Sequence, residues 1–174
     1  MLIETKAKVY RNKTGSHAII KAPYHPQMIE KIKVIPGAKW HNQGDLKFWA
    51  VPADQLEAAR QAVRPFYQIE GEESQVEWKT VKMRVRFAQH QTRSGSYKCG
   101  KAIIIDTTDL LNVQHGNFYE CSSDYDVLEA EGGFIQGDEH AAYWTVEYIM
   151  TVKMRKNAVI EAYAGTYEII EEEA

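Results

Sequence analysis

Between Lys79 and Ala88 apolar and polar residues alternate strictly, Val81, Met83, Val85 and Phe87 on one parity and Lys82, Arg84 and Arg86 on the other. A period of two predicts a half-buried strand carrying a basic ladder on its open face. Tyr143 to Arg155 repeats the pattern, with Trp144, Val146, Tyr148, Met150, Val152 and Met154 on one parity. Lys156-Asn157 then predicts a turn into Val159 to Ile169, a terminal β-hairpin. Ala102 to Asp106 reads as a short apolar strand and Asp109 to Val113 as a brief turn or helix. Phe118 to Cys121 and Asp126 to Ala130 read as further strands, and Gly132-Gly133 and Gly137-Asp138 as loop punctuation.

The earlier part of the chain follows a different rhythm. Residues 1 to 10 read as a strand or arm, residues 11 to 16 as a polar turn, and His17 to Ala22 as a strand. Met28, Ile29, Ile32 and Ile35 recur at helical intervals after Pro26, a first-turn proline, and Pro36-Gly37 stops that helix. Strands are expected at Ala38 to His41 and Lys47 to Val51, joined through Asn42 to Asp45. A second helix from Asp54 would bury Leu56, Ala59, Val63 and Phe66. The fold class is therefore α+β: a small βαββα module over residues 1 to 67, a polar linker over 68 to 75, and a mainly antiparallel β-rich domain over 76 to 174.

Composition narrows the functional classes. The 174 residues carry a formal charge of −3, which hides a division. Residues 1 to 101 hold 18 Lys or Arg against 9 Asp or Glu, and residues 102 to 174 hold 3 against 15. Such polarity steers a polyanion to one surface, holds two regions of the protein together, or reflects an uneven but ordinary solvated surface. No stretch approaches the roughly 20 apolar residues of a membrane helix, and the first residues lack an apolar signal core. Cys99 and Cys121 read as apolar residues of a reducing compartment. A cytoplasmic location away from membranes is expected.

The run Tyr24 to Trp40, containing Ile35-Pro36-Gly37-Ala38-Lys39-Trp40, is followed by Lys47-Phe48-Trp49-Ala50-Val51-Pro52. Together these segments resemble the accessory DNA-binding module of phage and bacterial Swi/Snf-type helicases, and are similar to the DNA-recognition repeat of annealing helicases. The resemblance covers about a quarter of the chain. It implies a grip on DNA, at single-strand/double-strand junctions among other places, and a phage or mobile-element origin. The Walker pattern GxxxxGK[ST] of a motor is absent.

The residues themselves point to the same chemistry. Lys39, Trp40, Lys47 and Trp49 place two basic stems beside two indoles around one hairpin, a set suited to phosphate contact and base stacking. The indoles equally suit the closure of a small core. Arg11, Lys13, Lys21 and Arg60 would extend the basic face, and Lys82, Arg84 and Arg86 would continue the path. Asp106, Asp109, His115, Asp124, Asp126, Glu129, Glu131, Asp138, Glu139 and His140 form the inventory from which a Mg²⁺ or Mn²⁺ nuclease site would be drawn. No HExxH, zinc-type cysteine pairing, EF-hand loop or Gly-x-Ser-x-Gly elbow organises them. The favoured expectation is a non-enzymatic DNA-binding or nucleoprotein-interaction protein without catalytic residues, metal or cofactor. Its expected partners are DNA, with RNA as another nucleic acid, and a second protein or copy of the chain. The alternatives are an inhibitory protein-interaction adaptor and a small metal-dependent nuclease.

Overall fold

The computed structural model describes residues 6–91, 97–98, 102–110, 124–138 and 143–173. They form an α/β unit ending at Glu77 and a larger, mainly antiparallel β unit starting at Trp78. The expected strand at residues 118–121, Cys99 and Cys121 lie outside the described residues.

The first unit is a five-stranded sheet with two helices. Its elements run β1 (Lys6–Arg11), β2 (His17–Lys21), α1 (Pro26–Lys33), β3 (Lys39–Gln43), β4 (Leu46–Pro52), a 3-10 turn (Ala53–Gln55), α2 (Leu56–Val63) and β5 (Gln68–Ile69). The sheet order is β3-β4-β2-β1-β5, so the first strand belongs to the sheet. Alternation explains its place: Ala7 and Val9 are buried while Lys6, Lys8 and Tyr10 are exposed. Pro26 opens α1, where its missing N–H costs nothing, and Lys31 and Lys33 fall in the last turn, where they favour the helix dipole. Met28 and Ile32 from α1 and Ala59, Ala62 and Val63 from α2 share one core with Ala7, Val9, Ala18, Ile20 and Val51 of the sheet. Both helices end earlier than the apolar periodicity suggests, yet Ile35 and Phe66 remain buried from the turns that follow.

Two boundaries differ from expectation. The β3–β4 connection is only Gly44-Asp45, because Gln43 already pairs with Leu46; glycine at the first loop position has φ of 61°, as a tight hairpin requires. The polar stretch 68–75 does not begin as a linker. Gln68 and Ile69 pair in parallel with Lys6 and Ala7, and Ile69 is buried. Burial of one isoleucine and the ion pairs of Glu72 hold this stretch to the first unit.

The second unit is built around β6 (Trp78–Gln91). Two residues of β7 (Tyr97–Lys98) pair with its far end. The main sheet has the order β10-β11-β6-β13, with β10 at Tyr125–Asp138, β11 at Tyr143–Arg155 and β13 at Gly165–Glu173. A three-stranded sheet of β12 (Ile160–Ala162), β8 (Ile103–Ile105) and β9 (Thr108–Leu110) completes it. The two alternating segments meet as their periodicity demands: Val81, Met83, Val85 and Phe87 share a core with Val146, Met150, Val152 and Met154, joined by Ile103, Ile105 and Leu110.

The expected terminal hairpin is not formed. β11 and β13 flank β6 on opposite sides, and Ile160–Ala162 is diverted to pair with β8. Nor are Asp109 and Leu110 helical; they lie in β9. Gly132-Gly133 and Gly137-Asp138 lie within β10 instead of in a loop. Close backbone approach explains the first glycine, since a Cβ on Gly132 would stand 2.0 Å from the Glu147 carbonyl oxygen and 2.7 Å from the Tyr148 Cα. Glycine here marks proximity, not a turn. Gly132→Ala is therefore expected to cost about 1–3 kcal/mol through overpacking, whereas Gly133→Ala, with nothing within 4 Å of its Cβ position, should lose less. Denaturant unfolding of the two variants measures the difference; equal losses would contradict the close-approach account.

Candidate nucleic-acid interface

The β3–β4 hairpin separates the residues that its sequence brings together. Lys39 lies opposite Ala50, Trp40 opposite Trp49, His41 opposite Phe48 and Asn42 opposite Lys47. Directly opposed residues of an antiparallel pair share a face. Trp40, Trp49 and Lys47 thus occupy the helix-covered side, and Lys39 the other. Trp49 packs against the core, and Trp40, 50% exposed, tilts against it with ring centroids 5.5 Å apart. One indole closes the core while the other covers it from outside.

Among the described residues, both helices of the first unit pack on one side of its sheet, and no helix of that unit packs on the opposite face. Across that face run Tyr10, Ile19, Ala50 and Lys39, aligned by the registers of β1, β2, β4 and β3. The neighbouring row contains Lys8 directly opposite Lys21, and then Phe48 beside His41. The His41 and Phe48 rings are nearly parallel, 11° apart, with centroids at 5.0 Å. Tyr10 is 41% exposed. Lys6 continues the basic edge beside Gln68. Like charges directly opposite in a sheet repel, so the Lys8–Lys21 pair carries a local cost that an anion would relieve. Lys8 also meets Glu70, Nζ to Oε2, at 3.1 Å.

Arg11 and Lys13 are exposed at the β1–β2 turn. The Asn12 N–H donates to the His17 carbonyl and the His17 N–H to Asn12 Oδ1, which fixes the turn that carries them. Arg60 is occupied by Glu72 at 3.3 Å. Lys6, Lys8 and Tyr10 escape a reading of the sequence that starts from the hairpin, and His41 and Phe48, within it, are passed over for the two tryptophans. The signal for the first three was the alternation Lys6-Ala7-Lys8-Val9-Tyr10, whose meaning depends on β1 joining the sheet.

The basic ladder of β6 has a different fate. Arg84 reaches Glu168 at 2.8 Å and Glu147 at 3.9 Å, and Arg86 bonds Glu147; Lys79, on the other parity of the strand, meets Glu172 at 3.1 Å. Lys82 lies opposite Glu171 of β13 and Thr151 of β11. Carboxylates of the adjoining strands answer the two arginines, so the steep charge division along the sequence becomes pairing inside one sheet. Lys82, Arg84 and Arg86 belong to the second unit's own sheet.

No protein-family model, curated protein or solved structure matches this chain.

The carboxylates weighed for a metal site are partly committed elsewhere. Arg155, fully buried, contacts Asp124 at 2.5 Å and Asp106 at 3.4 Å, and its guanidinium lies 5.8 Å from the Trp78 ring centroid. Thr107 and Thr108 donate their hydroxyls to Asp124, and the Val159 N–H donates to Asp106. Asp106 adopts φ of 55°, and its carboxylate is held by the Val159 N–H and Arg155. Among the described residues no group of three or more His, Cys, Asp or Glu is arranged to hold a metal; His115, Glu139 and His140 lie outside them.

Burial opposes ionisation of Asp124, but hydrogen bonds from Thr108, Arg155 and Thr107 outweigh it and hold the carboxyl below the usual range. The folded pKa is thus below the unfolded value of about 3.9. The resulting stabilisation is present above the unfolded pKa and disappears as pH falls through the folded one. Asp124→Asn is expected to cost about 3–5 kcal/mol near neutral pH, because it removes the nearer of the two carboxylates against a buried guanidinium and leaves it the longer contact with Asp106. It should also flatten the acid limb of the stability–pH curve. Denaturant titrations from neutral to acid pH measure both effects, and an unaltered acid limb would remove Asp124 from that role.

Proposed function

We propose that the first unit is a nucleic-acid-binding module, directed to single-stranded DNA, that uses its uncovered sheet face for attachment without bond cleavage. The observation that carries this reading is the mixture of rings and lysines on one uncovered surface. Tyr10 and the Phe48–His41 pair supply faces for stacking, and Lys6, Lys8, Lys21 and Lys39 supply cations for phosphate. Single strands suit such a face because their bases can be splayed against it, whereas the bases of a duplex are already stacked. The opposed lysines also favour an anion beside them, one that would share or displace the Lys8 contact with Glu70.

Fluorescence anisotropy with labelled single-stranded and duplex oligonucleotides tests this. Lys21→Ala and Lys39→Ala should each weaken binding irrespective of base sequence and reduce the log–log salt slope by about 0.7. Tyr10→Ala should cost about 1–3 kcal/mol if it stacks a base. Arg86→Gln, already engaged by Glu147, should bind as the parent does. No single-strand binding at low ionic strength, where phosphate contacts are strongest, would defeat the proposal.

A further inference from the structure

We infer that Glu70 is an intramolecular competitor for phosphate at the Lys8–Lys21 pair, so that the uncovered face accepts an oligonucleotide and resists isolated phosphate ions. This rests on the nucleic-acid reading of the same face. Glu70 follows β5, and its N–H donates to the Ala7 carbonyl at 2.8 Å, which extends the strand register by one bond. That register brings its carboxylate 3.1 Å from Lys8 Nζ. The next residues anchor it. Gly71 turns the chain with φ of 86°, the Glu72 N–H donates to the Ile69 carbonyl, and the Glu72 carboxylate takes Arg64 Nε at 2.8 Å and Nη2 at 3.2 Å. Gln68 donates to the Glu72 carbonyl at 3.2 Å. A short strap fixed to α2 by Glu72 therefore holds Glu70 over β1.

The carboxylate offers Lys8 the same chemistry as a phosphate oxygen, an anionic acceptor at hydrogen-bond distance. Both side chains remain more than half exposed, 58% for Lys8 and 57% for Glu70. Exposed pairs of this kind are weak, so this contact can be displaced. A lone phosphate has only the lysines to gain and must overcome Glu70. A chain of nucleotides engages Lys39 and the aromatic rings at the same time, and those further contacts offset the loss of the internal pair.

The test uses the full chain and a labelled oligothymidylate of about 15 nucleotides, within the usual range of single-strand sites. Glu70→Gln is expected to bind it about 3–10-fold more tightly, with a salt slope steeper by about 0.7 for the phosphate contact released to Lys8. Inorganic phosphate should compete against Glu70→Gln at lower concentration than against the parent. Adding Lys8→Ala to Glu70→Gln should cancel the gain. Glu73→Gln, an equal change of charge at an exposed neighbour, should have no such effect. Parent binding with unchanged affinity and slope in Glu70→Gln would overturn the inference and leave the nucleic-acid reading standing, as would an equal gain from Glu73→Gln. Absence of binding by both the parent and Glu70→Gln would remove that reading, and the inference with it.

Discussion

Two helices of eight residues, each about 12 Å long at 1.5 Å per residue, cannot close both faces of a five-stranded sheet. In the first unit α1 and α2 share one core with one side of that sheet. The difference between the two faces of that sheet follows from this shortage of cover. The covered side takes the small and branched residues, Ala7, Val9, Ala18, Ile20 and Val51. The uncovered side must be compatible with water, and alternation fills it with lysines and amphipathic rings. A ring with a polar edge or a half-buried aromatic can remain there at little cost and still offer a face to a ligand.

The second unit solves the corresponding problem by charge. Its central strand buries Val81, Met83, Val85 and Phe87 on one parity and carries Lys82, Arg84 and Arg86 on the other, and the adjoining strands supply carboxylates opposite the arginines. Cross-strand pairs of opposite charge contribute modestly in energy. Their larger effect is on register: sliding β13 by one residue would place Glu168 on the core face and bring Tyr167 out. The buried Arg155 group does comparable work at the other end of this unit, joining the β8–β9 turn at Asp106 to Asp124 and the end of β11.

Periodicity made some of this legible and left other parts hidden. Val81 to Phe87 and Met28 to Ile35 announced a strand and a helix because burial on one side imposes a repeat that local sequence records. Gly132-Gly133 resembled a loop because the residue type signals both turns and close approach, and only the partner strand distinguishes them. Pairing between distant strands leaves no local trace, so a hairpin between β11 and β13 was the natural but incorrect expectation. The candidate site divides in the same way. Lys39 could be found from the hairpin sequence, whereas its separation from Trp40 follows from pleating, and its companions Tyr10 and Lys8 depended on a strand about thirty residues earlier whose place in the sheet was open. The ladder of Lys82, Arg84 and Arg86 looked available because its acidic partners are remote in sequence.

The arrangement of β6 also has a consequence for synthesis. It is the first described strand of its unit to leave the ribosome, yet one of its neighbours is β13, the last of the described strands to be made. At about 5–20 residues per second, roughly 4–16 s separate the two. During that interval Val81, Met83, Val85 and Phe87 have no completed sheet to enter, and the cations between them lack their later carboxylates. Those same cations keep the nascent strand charged and discourage its pairing with another copy. The basic ladder thus protects an unfinished chain before it helps to align a finished one.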